Sequence, residues 1–157
     1  MTAGVRVVVG VGSSLSALAA VHRAVREARM RHAVLVPVVA WQPGDEPLRP
    51  LSELAHAARQ RLDTAFEQAF GGWPDDLLLH PEVVRADPGQ ALVAAADRPS
   101  DLLVVGAGRP GRAASVARYC RARAGCPVLV VPAGDLLDEP DSGIAPAHCR
   151  MGLAYQD

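Results

Sequence analysis

The segment from Asp101 to Val131 restricts the fold more than any other part of the chain. An apolar run, Leu102-Leu103-Val104-Val105, meets the glycine turn Gly106-Ala107-Gly108-Arg109-Pro110-Gly111. An Arg-rich helical stretch follows, and Cys126-Pro127 leads into a second apolar run, Val128-Leu129-Val130-Val131. Two strands joined through a helix run parallel, and such crossovers are right-handed. The turn also brings backbone N–H groups to a helix start, where anions bind.

The same alternation fills the residues before it. Val5 to Val11, interrupted by Arg6 and Gly10, has the β-branched pattern of a strand buried on both faces. Gly12-Ser13-Ser14 supplies a turn and an N-cap, and Leu15, Leu18, Val21, Val25 and Ala28 mark the apolar face of a first helix. Val34 to Trp41 is a second strand, in which Pro37 predicts a bulge or irregular pairing. A helix beginning after Pro50 carries Leu51, Leu54, Ala58, Leu62, Ala65, Phe66 and Ala69 on one side and stops at Gly71-Gly72.

A third strand lies within Leu77 to Arg85, broken by His80-Pro81. Asp87-Pro88-Gly89-Gln90 then opens a third helix as a capping box. A fourth helix is expected from about Ala113 to Ala124. Strict alternation of strand and helix predicts an α/β, doubly wound, Rossmann-like open sheet of five parallel strands with helices on both faces. Ligands of such sheets bind beyond the carboxyl ends of the strands, where strand order reverses. That edge comprises Gly10 to Ser14, Ala40 to Gln42, Ala86-Asp87 and Gly106 to Ser115. Residues 1–133 read as one domain. Residues 134–157, rich in Asp and Pro and without periodicity, read as a flexible tail.

Composition excludes several function classes. The chain is 157 residues long and 50% hydrophobic but only 4% aromatic, so its core rests on Val, Leu and Ala. A net charge of -1 offers no global attraction to nucleic acid or to anionic lipid, and neither is expected as a partner. No apolar run approaches a membrane span, and no signal peptide precedes the first strand, so a cytoplasmic location is expected. All the basic residues counted as Lys or Arg are Arg, a bias of GC-rich codon usage that points to a bacterial source. The absence of lysine excludes a phosphate-loop NTPase.

The turn Gly10-Val11-Gly12-Ser13-Ser14-Leu15 lacks the third glycine of a dinucleotide fingerprint, and no acidic residue ends the second strand. Asp87 reads as a helix cap rather than a phosphoacceptor. The five histidines are scattered, and Cys120, Cys126 and Cys149 fit no metal spacing. No Ser, His and Asp arrangement announces a nucleophile, so no catalytic or metal site is assigned. Arg109, Arg112, Arg118, Arg121 and Arg123 crowd one loop and helix, and read first as a solvated face.

Four stretches share one further pattern. They are Val7 to Leu18 with its V-G-V-G-S-S-L-S opening, Val83 to Leu92 with A-D-P-G-Q-A-L, Asp101 to Gly106 with D-L-L-V-V-G, and Ser115-Val116 through Cys126-Pro127-Val128-Leu129-Val130-Val131. In this order and spacing the chain resembles the universal stress protein family, the UspA-type domain, over about Arg6 to Val131. The resemblance implies the strand order 3-2-1-4-5. It also implies a homodimer formed through the last strand, Val128 to Val131, an exposed edge of the kind that invites pairing. It further implies a nucleotide site at Gly10, Gly12, Ser13, Ala40, Gly106, Gly108, Gly111, Ser115 and Val116.

Two departures fall on that implied site. Gly12 stands where the family has an aspartate. The family's ATP signature, G-x-x-G-x9-G-[S/T], spans five residues more than the interval from Gly106 to Ser115. The reading drawn from these departures is a non-catalytic stress-response or regulatory domain with a degenerate nucleotide site. It would act through an unidentified protein partner, without a required cofactor. The alternative is a binder of ATP or another adenine nucleotide that uses a compact phosphate loop.

Overall fold

A computed structural model describes residues 5–43, 49–108 and 114–136. Their order is β1 (Arg6–Gly10), α1 (Leu15–Arg31), β2 (Val34–Trp41), α2 (Leu51–Phe70), β3 (Glu82–Arg85), α3 (Pro88–Ala95), β4 (Leu102–Gly106), α4 (Ala114–Arg123) and β5 (Val128–Val131). The five strands form one parallel sheet in the order β3-β2-β1-β4-β5. Helices cover both faces, as the alternation predicts. None among the described residues is long and apolar enough to cross a membrane.

The two-residue strand period divides the core. Val7 and Val9 of β1 join Val104, α1 and Phe66 of α2 on one face, whereas Val8 joins Leu103, Val105, α3 and α4 on the other. Val7, Val8 and Val9 have no solvent exposure, and each such side chain contributes about 1.5–3 kcal/mol through burial. A third cluster, Val39, Ala58 and Leu62, seats α2 on the outer part of the sheet. Below the strands' amino ends, the buried Asp101 carboxylate accepts from Arg6 Nε at 3.1 Å, Arg6 Nη2 at 2.6 Å and Arg98 N at 3.1 Å.

Several local expectations change in the folded chain. Pro37 causes no bulge: it pairs in register with Val9. By the alternation of β2, its missing N–H lies on the β3 side, as does Leu35, which bonds to Leu78 and His80. That gap coincides with His80-Pro81. The third strand therefore splits into an isolated Leu35↔Leu79 bridge and the four residues of β3. Leu15 and Leu51 do not join the core, because each starts its helix beyond the edge of the sheet; they are 65% and 45% exposed. Ala17, Ala20, Val21, Ala24, Val25 and Ala28 provide much of the buried side of α1 instead. The region read as a tail begins with a 3-10 turn, Ala133–Leu136, whose Leu136 packs against the core and whose Asp135 lies 3.9 Å from Arg23. Residues 137–157 lie outside the described residues.

Candidate functional site

At the carboxyl ends of β1, β2 and β4 the sheet opens into a cavity of about 340 Å³. Its position follows from topology: β1 leaves toward β2 on one side and β4 pairs on the other, so the connecting turns diverge and leave a crevice. The Gly10–Ser14 turn forms one wall. Ser14 caps α1 by accepting from Ala17 N at 3.1 Å, which satisfies one of the first helical N–H groups and fixes the start of α1 beside the opening.

The opposing wall is set by two glycines. A Cβ on Gly106 would lie 2.6 Å from the carbonyl carbon of Ser16 and 2.8 Å from Ala17 N, so only glycine lets β4 approach the α1 backbone this closely. Gly108 has φ of 76°, a left-handed conformation that suits glycine. Its N–H donates to the Ser16 hydroxyl at 2.9 Å, and Ala107 N donates to Val131 O at 2.8 Å. The loop after β4 is thus tied both to α1 and to β5. Val116 of α4 with Pro88 and Leu92 of α3 supplies an apolar side, while Val38, Val39 and Ala40 line the β2 side.

Gly10, Gly12, Ser13, Ala40, Gly106, Gly108 and Val116, all expected at the site, line this cavity together. Ser115 occupies the exposed first turn of α4 and is not among the lining residues. Gly111 lies outside the described residues, as do Arg109 and Arg112. Arg118, Arg121 and Arg123 face solvent on α4, and the Arg123 guanidinium sits 5.0 Å from the Tyr119 ring centre. Asp87 caps α3, its Oδ2 accepting from Gly89 N at 3.1 Å and Gln90 N at 3.4 Å.

Sequence reasoning missed Ser16, Leu92 and Arg61 as wall residues. The serine run after Gly12 held a signal for Ser16. Arg61 had none, because a polar residue on a long amphipathic helix is indistinguishable from its solvated neighbours. Its Nη2 reaches Ala40 O at 3.3 Å, and it is the only formally charged residue among the described lining residues. They include no carboxylate, imidazole or thiol, and no group of three or more His, Cys, Asp and Glu suited to a metal occurs among the described residues. The surface offers glycine-rich backbone, small hydroxyls, an apolar side and one cation. That combination suits binding of a small, partly polar molecule.

The profile of the Universal stress protein family matches residues 5–132. The chain belongs to this family. A universal stress protein solved in complex with cAMP is 30% identical, with 82% of this chain and 96% of that chain covered at a TM-score of 0.55. A universal stress family protein from Burkholderia pseudomallei is 28% identical, covering 81% and 95% at a TM-score of 0.58. Universal stress protein UspA from Lactobacillus plantarum superimposes at a TM-score of 0.62 over 81% and 97%; at 23% identity this likeness shows the fold alone. No curated protein matches the chain.

Proposed function

We propose that this universal stress protein binds an adenine nucleotide, and that a mononucleotide such as AMP or cAMP suits it better than ATP. The observation that carries the reading is the 340 Å³ cavity at the switch point, whose wall brings seven of the nine expected site residues together. Its volume lies at the small end of the ~300–1,000 Å³ typical of ligand pockets, a size that favours a nucleoside with one phosphate. The 30% identical relative bound to cAMP supports the same ligand class. These observations favour the adenylate-binding alternative over a site that has lost its ligand.

The preference against ATP follows from the interval between Gly106 and Ser115, which is too short to supply the family signature's full set of backbone donors. If two charge-assisted contacts are missing, at about 1.5–3 kcal/mol each, affinity falls roughly a hundredfold to more than ten-thousandfold. A site that otherwise held ATP at about micromolar would, after that loss, hold it at about 0.1 mM or weaker. Gly12 in place of the family aspartate removes a further polar contact from the same wall. The proposed role is binding coupled to regulation through a protein partner, with no catalysis, because the described wall contains no acid, base or nucleophile beyond serine hydroxyls.

Calorimetric titration of the full chain with AMP, cAMP and ATP tests this reading. Saturable binding of AMP or cAMP, at least tenfold tighter than ATP and lost in Ser13→Trp, is the expected result. Ser13 is exposed at the cavity mouth, so the indole blocks entry without invading the core. Absence of binding by all three nucleotides, or ATP binding tighter than AMP, would overturn it.

A further inference from the structure

The carbonyl of Ala40 is a strand acceptor for which the sheet offers no partner. Along β2 the bonding direction alternates: Val38 O accepts from Val11 N on the β1 side at 2.9 Å, whereas Trp41 O accepts from Ala86 N on the β3 side at 3.1 Å. The strand period of two therefore turns the Ala40 carbonyl toward β1. Pairing of those strands has already ended at Gly10↔Val38, and the chain leaves through Gly12 toward α1. The carbonyl faces the cavity instead, and Arg61 Nη2 donates to it at 3.3 Å.

Nothing on α2 neutralises Arg61. The residues three and four positions away are Ala57, Ala58, Thr64 and Ala65, so no helical carboxylate pairs with it. Its neighbour Asp63 accepts from Trp73 Nε1 at 3.1 Å. The guanidinium carries five donors in a planar fork, and one is used on Ala40. One patch of wall therefore combines an acceptor with a cationic donor that already occupies it.

We propose that Arg61 determines base selection at this site. With the base seated against this patch, a purine's exocyclic amino group would donate to the Ala40 carbonyl and compete with the guanidinium for it. A purine with a keto oxygen at the same position accepts from the free Arg61 donors without that competition. Arg61 thus narrows the preference for adenine over hypoxanthine. This inference rests on reading the cavity as a nucleotide site.

AMP and IMP form the discriminating pair: IMP carries a keto oxygen where AMP carries the amino group, and its adjacent ring nitrogen is an N–H donor where that of AMP is an acceptor, so the whole edge facing Ala40 and Arg61 is exchanged. Titration of the full chain and of Arg61→Ala, with circular dichroism and melting to confirm an unchanged fold, gives the affinity ratio of AMP to IMP. The ratio is expected to move toward AMP by about tenfold or more in Arg61→Ala, the size of one charge-assisted hydrogen bond. Arg61→Lys, which keeps the charge but loses the fork, is expected to fall between the two. An unchanged ratio overturns the role of Arg61, and so does an equal loss of AMP and IMP affinity, which would indicate a base-independent contact. If neither nucleotide binds the unaltered protein, the nucleotide reading fails and this inference fails with it.

Discussion

The Ser16 hydroxyl accepts a hydrogen bond from Gly108 N at 2.9 Å, joining the start of α1 to the loop after β4 across 92 residues of sequence. Ser16 is buried, and its hydroxyl also lies 3.3 Å from that of Ser14. This contact gives the cavity a fixed wall. Ser16→Ala is expected to lower stability by about 0.5–1.5 kcal/mol, the net worth of one hydrogen bond, and to weaken AMP binding by loosening Gly108. Urea unfolding and calorimetry read the two effects, and an unchanged stability would remove the contact from the account.

Gly106 and Gly12 are both wall glycines, but substitution should affect them differently. The Cβ of Gly106→Ala meets Ser16 and Ala17 backbone, which cannot move without displacing α1, so a loss of about 1–3 kcal/mol is expected from overpacking. At Gly12 an added Cβ meets only Ala17 Cβ at 3.6 Å, an ordinary contact. Gly12→Ala should stay within about 0.5 kcal/mol of the parent. Equal midpoints for both variants in chemical denaturation would contradict the close approach of β4 to α1.

Glu27 gives the fold an acid-sensitive element. Burial raises the carboxyl's pKa, but hydrogen bonds from Arg23 at 2.9 Å and Arg31 at 3.1 Å outweigh it and leave the value below the ordinary 4.5. A carboxylate with a depressed folded pKa stabilises the protein above its unfolded pKa, and the contribution disappears as pH falls through the folded one. The stability gap between the parent and Glu27→Gln should be widest near neutral pH and shrink below about 4.5. A gap that stays constant across that range, measured by urea unfolding, would refute the linkage.

Cys120 and Cys126 should differ in reactivity. Burial pushes the Cys120 thiol up to about 11, and its side chain has no solvent exposure, so thiolate and access are both scarce. Cys126, whose thiol burial also raises, is only partly covered. Iodoacetamide labelling followed by peptide mass spectrometry should show Cys126 modified first and Cys120 protected until denaturant is added. Comparable rates in the folded protein would show that α4 opens readily.

A homodimer through β5 remains our expectation from its edge position. Leu103 N and Ala107 N donate to Pro127 O and Val131 O, so the alternation points the N–H groups of Val128 and Val130 away from β4. Val130→Pro removes an outward donor while sparing the inner ladder. Light scattering should report a dimer for the parent and a monomer for this variant at micromolar concentration. A monomeric parent would sink the proposal.

The alternation of apolar strands and amphipathic helices, the cap at Ser14, the cap at Asp87 and the helix stop at Gly71 were legible because each depends on residues a few positions apart. Local chemistry therefore determined the element order and the edge of the sheet where the cavity opens; the family resemblance supplied the strand order. Tertiary structure alone decided that Pro37 sits in register opposite Val9, since its missing donor falls where β3 is already interrupted. It also decided that Leu15 remains exposed while Ser16 is buried, because the approach of β4, not helical periodicity, fixes which side of the first α1 turn is covered. Arg61 reaches Ala40 only through the packing of α2 on β2. Such contacts join residues whose separation in sequence carries no periodic signal, so only the assembled sheet reveals them.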